Sequence, residues 1–64
     1  MSVEKLAERI RAEFDEMPEL VLTLKQASRF FGLDHEMTCS VMERLVGTAY
    51  LRWTSGGALA RAAR

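Results

Sequence analysis

The stretch that decides the fold runs from Leu22 to Leu51 and reads LTLKQASRFFGLDHEMTCSVMERLVGTAYL. Near its start the Thr23 hydroxyl can accept from the amide of Gln26, while the Gln26 side chain reaches back to the amide of Thr23. This is the reciprocal T-x-x-Q capping box, so a helix is predicted from Leu24. Ala27, Phe30 and Phe31 then recur at helical spacing as its buried stripe, with Lys25, Ser28 and Arg29 outside. Gly32 can take the left-handed conformation that ends a helix, and Leu33 can pack back across the turn. Asp34 is an N-cap for the next helix, with Glu36 close to the positive end of its dipole. That third helix is predicted from His35 to about Val46, burying Thr38, Val41, Met42 and Leu45 and turning Met37, Ser40 and Arg44 to another side. Two helices joined by so short a connection must turn sharply, so the stretch reads as a helix-turn-helix running into a strand.

Upstream, Ser2 can cap a helix whose apolar residues Val3, Leu6, Ala7, Ile10, Phe14 and Met17 fall on one face. Glu4 with Glu8, and Glu8 with Arg11, meet on its other face, and Pro18 stops it. Leu20, Val21 and Leu22 favour a brief strand or an extended linker. Downstream, Gly47 and Thr48 break the helical pattern, and Tyr50 to Thr54 read as a strand on which Trp53 alternates with Leu51 and is expected on the core face. Ser55, Gly56 and Gly57 supply a reversal, with Ala58 to Ala62 returning as the partner strand. Alanine is a strong helix former, so residues 58–64 are locally compatible with a helical turn or a tail as well; two glycines directly after a strand favour the hairpin.

Sixty-four residues make one domain with little stability to spare, for which dimerisation would help. The expected division is 1–17 as a support helix, 23–46 as the helix-turn-helix and 50–62 as a hairpin. Formal charge is zero, so the total gives no reason to expect nucleic acid, but its distribution is uneven. Up to Thr23 three cations face six acids; from Leu24 onward six cations face three acids. Cys39 is the only cysteine, which excludes a disulfide framework. No stretch approaches the roughly 20 apolar residues of a membrane span, and Glu4 and Glu8 stand where a signal peptide would be basic and then apolar. A cytoplasmic protein without membrane attachment is expected.

Catalysis has little support, because phosphate-cradling glycine motifs are missing and the single histidine has no nucleophile partner in another segment. His35, Cys39 and Glu43 share a helix face by their four-residue steps, but metal ligands normally come from several segments, so neither metal nor cofactor is expected.

The segments LTLKQASRFFGL, TCSVMERL and AYLRWTSGGALAR together resemble a winged helix-turn-helix domain of the bacterial transcriptional-regulator type. The resemblance spans nearly the whole chain. It implies a mainly α fold with a small β-hairpin: three helices, a short strand and a two-stranded wing. It also implies transcription regulation by a homodimer on double-stranded DNA, with the third helix in the major groove and the wing on the phosphate backbone. His35, Met37, Ser40 and Arg44 are the candidate groove residues, Arg52 and Arg61 the wing cations, with Arg64 beside them, and Lys25 and Arg29 the phosphate contacts of the second helix. The chain departs from the pattern at Ala49, where many relatives have glycine, and in the acids Glu36 and Glu43 on the presumed reading helix. The alternative reading is a winged helix that docks a protein through the third helix or the Trp53 edge.

Overall fold

The computed structural model describes residues 2–62, which form three helices and one small antiparallel sheet. Helix α1 spans Val3–Glu16 and begins where the Ser2 hydroxyl accepts from the Lys5 amide at 3.1 Å. Leu6, Ala7, Ile10 and Phe14 bury its inner face. Met17, expected at the end of that stripe, is instead 40% exposed: ahead of Pro18 it has left the helical conformation, so its side chain no longer follows the helical period.

Strand β1, Val21–Thr23, runs directly into α2, Leu24–Phe31. The predicted capping box is present in both directions, at 3.1 Å from the Gln26 amide to Thr23 Oγ1 and 3.0 Å from the Thr23 amide to Gln26 Oε1. At the other end Gly32 takes φ +69, the Leu33 amide donates to the Ser28 carbonyl at 2.9 Å, and the Ser28 hydroxyl donates to the Leu33 carbonyl. Asp34 then caps α3, His35–Gly47, by accepting from the Met37 amide at 2.7 Å. Thr38, Val41, Met42 and Leu45 are buried as the spacing predicts, and the Thr38 hydroxyl is satisfied by the Asp34 carbonyl at 2.7 Å.

Strand β2, Leu51–Trp53, and strand β3, Ala58–Arg61, form the hairpin. The structure differs from a separate wing in that β3 lies in the middle of three strands, in the order β1-β3-β2. Val21 to Thr23 pair with Ala60 to Ala58, and Leu51 to Trp53 pair with Arg61 to Leu59. A central strand fills both edges with backbone hydrogen bonds, which is why an alanine-rich segment settles as strand rather than helix here. Leu59 is fully buried against the helices, while Ala58 and Ala60 are covered to 8% and 7% exposure by the strands on either side.

Two aromatic positions run against the sequence reading. Phe30 is 49% exposed, and of the two adjacent rings Phe31, four residues after buried Ala27, is the one that packs against the core. Trp53 shares a cross-strand row with Leu22 and Leu59 and so lies on the core side of the sheet, but it ends an edge strand and is 44% exposed.

Candidate recognition surface

The most outward line on α3 follows from which residues are buried. With Thr38, Val41, Met42 and Leu45 inward, a period of about 100° per residue puts Glu36, Ser40, Glu43 and Gly47 on the far side, and all four are exposed. Two of the three side chains on this line are acids. Met37 and Arg44 lie on the flank that meets α1. Met37 is half-buried and packs on the core, so it is not a free groove-reading side chain. Arg44 turns back to Glu4 with an Nη2 to Oε2 distance of 2.9 Å, an exposed pair that contributes little to stability but engages the guanidinium with a carboxylate. Glu4 therefore meets α3 across the helix interface.

His35 and Ser40 are exposed and share a shallow cleft with Met37 and with Val3 of α1. His35 Nε2 lies 3.5 Å from the sulfur of half-buried Cys39. Glu43 does not complete a cluster: no three His, Cys, Asp or Glu side chains among the described residues come together as metal ligands would.

The cations expected to bind phosphate separate into two groups. Arg61 is half-buried at the base of the hairpin, where it pairs with Asp15 of α1 at 3.4 Å and sits 5.7 Å from the centroid of the Tyr50 ring. Arg11 lies over the same ring at 4.5 Å. The Tyr50 hydroxyl is within hydrogen-bond reach of both the Asp15 carboxylate and the Arg11 carbonyl, the latter at 3.1 Å, so one proton faces two acceptors. The phenol pKa is raised above its ordinary value of 10.0, first by burial and then by the hydrogen bond and negative charge of Asp15, against the opposing pull of Arg61 and Arg11. Arg61 thus belongs to a clamp between α1 and the hairpin. Arg64 lies outside the described residues.

Lys25, Arg29 and Arg52 form the second group. All are exposed, and none makes an ion pair with another described residue. Arg52 shares its cross-strand row with Ala60 and Val21, on the sheet face turned away from the core. Arg29 lines a groove with Val21, Leu22, Gln26 and Phe30. The eight predicted residues therefore do not form one continuous basic surface through α3.

The Tyr50 clamp joins α1 to residues 35 to 46 positions further along the chain, so nothing local announces it. Nothing local announces the exposure of Phe30 either, since consecutive apolar side chains can share one core, as the fully buried Val41 and Met42 of α3 do.

Among the described residues, no helix is long and apolar enough to cross a membrane. Comparison with protein-family models, with curated proteins and with solved structures finds no match to this chain.

Proposed function

We propose that the chain is a winged-helix-type recognition domain that docks a protein partner through the outward face of α3, in preference to reading DNA bases with it. The observation that carries this reading is the acidic line of Glu36, Ser40 and Glu43, with Arg44 turned aside onto Glu4. A helix inserted in a major groove brings its outward residues close to two phosphate backbones, where carboxylates are repelled. The same face suits a partner surface bearing Lys or Arg, since complementary potentials steer association and reject wrong partners. The arrangement of α2, its Gly32 turn, α3 and the β2–β3 hairpin supports the winged-helix assignment, which by itself leaves the activity open.

DNA binding is the second reading, favoured by Lys25, Arg29 and Arg52, three exposed cations free of acids among the described residues. On that reading, affinity comes from phosphate contacts of α2 and the hairpin rather than from α3.

Titration of a labelled random-sequence duplex at low and at near-physiological salt separates the two. The protein-docking reading expects no saturable binding, and a gain in residual duplex affinity for Glu36→Gln with Glu43→Gln. Saturable binding that falls steeply with salt and is lost when Lys25, Arg29 and Arg52 become alanine replaces it with the DNA reading.

A further inference from the structure

We infer that the flank of α1 and α2 bearing Phe30 is a contact surface for a second copy of this chain, related by a two-fold axis. The Phe30 ring stands 49% exposed, anchored by a tilted contact with Phe31 at a centroid distance of 4.9 Å. Depressions lie on both sides of it. One is lined by Leu6, Arg9, Ile10, Glu13 and Phe31, the other by Val21, Leu22, Gln26 and Arg29. Leu6, Ile10 and Leu22 give these depressions apolar floors, and Val21, itself 50% exposed, extends the apolar surface along β1. An exposed aromatic between an apolar groove on the β1 side and a depression of mixed polarity on the α1 side has the form of an interface anchor.

Charge selects the occupant. Arg9 and Glu13 stand one helical turn apart on the flank of α1 that meets Phe30, and neither makes an ion pair elsewhere among the described residues. A two-fold axis passing between them sets Arg9 against Glu13 of the second copy and Glu13 against its Arg9 at once, which is the reciprocity of an isologous interface. A partner patch of a single sign would leave one of the two charges opposed. The same axis brings the two Phe30 rings toward the centre of the contact. A standard interface covers about 800 Å² per partner. Against a total surface of 4376 Å², that area must reach past Phe30 and Val21 to the charged rim. None of the outward α3 residues is used, so this surface is independent of the docking face proposed above.

Sedimentation equilibrium over a wide concentration range tests the assignment, with far-UV circular dichroism confirming that each variant folds. Wild type is expected to show a monomer–dimer equilibrium, and Phe30→Asp to be monomeric. Arg9→Glu alone and Glu13→Arg alone each turn two attractive contacts into repulsive ones and weaken the dimer about tenfold. The double variant restores the pairing in reverse and returns to within about threefold of wild type. A wild type that stays monomeric, a dimer indifferent to Phe30→Asp, or a double variant no better than the singles overturns the inference. The charge variants keep the test decisive if Phe30→Asp fails to fold.

Discussion

Helices α2 and α3 end in the same way with different residues. In α2 the amide of Leu33 donates back to Ser28, and Gly32 at φ +69 makes the left-handed step between them. In α3 the amide of Tyr50 donates back to Leu45 at 2.9 Å, the amide of Ala49 donates to Val46, and Ala49 at φ +65 makes that step. Both are Schellman-type ends, a motif in which glycine is usual because a Cβ in the left-handed region costs roughly 1–2 kcal/mol. Gly32 therefore closes its helix at no steric cost, whereas Ala49 closes its helix against strain that something else must offset. The residue after Ala49 is Tyr50, whose ring and hydroxyl are held by Arg11, Asp15 and Arg61. The first turn is made by local chemistry, whereas the second leads into a residue held from a distance by α1 and β3.

Four experiments test this contrast. Truncating Tyr50 to alanine removes the half-buried ring and the clamp together and should cost about 2–4 kcal/mol in urea unfolding. A loss below about 0.5 kcal/mol would mean that Ala49 is held by something else. Gly32→Ala puts a Cβ into open space but at positive φ, so a loss of about 1 kcal/mol is expected, from backbone conformation alone. The converse change, Ala49→Gly, relieves the strain but makes the unfolded chain more flexible, giving a net gain of roughly 0.5 kcal/mol. If both substitutions destabilise equally, the two ends are not held differently.

The smallest effect is a titration. Tyr50 is the single tyrosine, so its ionisation can be followed directly by absorbance. Its folded pKa lies above 10.0 and its unfolded value near it. The stabilisation linked to this shift is therefore fully present below pH 10 and is lost as pH rises through the folded value. The wild-type midpoint should lie above 10, and Asp15→Asn should move it down, because both the hydrogen bond to the ionised carboxylate and the repulsion of tyrosinate are removed. A midpoint that ignores Asp15→Asn would show that the hydroxyl is not held by that carboxylate.

The same division between local and distant control runs through the recognition surface. Lys25, Arg29, His35, Ser40 and Arg52 lie on exposed positions where the helical and strand periods place them. Arg44 and Arg61 occupy their expected elements too, but Glu4 and Asp15, residues of α1 far away in the chain, engage their charges. A basic surface counted from sequence thus loses two of its cations once the helices pack, and the outward line of α3 is left acidic.

What the amino-acid order determined by itself is the set of elements whose signals act within a few residues: the caps at Ser2, Thr23 and Asp34, the stop at Pro18, the turn at Gly32 and the buried face of α3. The caps, the stop and the turn each rest on a hydrogen bond or a steric preference spanning no more than five positions, and the α3 face on a helical period repeated from Thr38 to Leu45. Tertiary structure alone decided that β3 is the central strand, that Phe30 and Trp53 stay exposed, and that Ala49 tolerates a glycine conformation. The physical reason is range. An alanine-rich segment that locally favours helix takes the strand state instead, because β1 and β2 fill both of its edges. The strained helix end at Ala49 likewise leads into Tyr50, whose hydroxyl is held by groups 35 and 39 residues away.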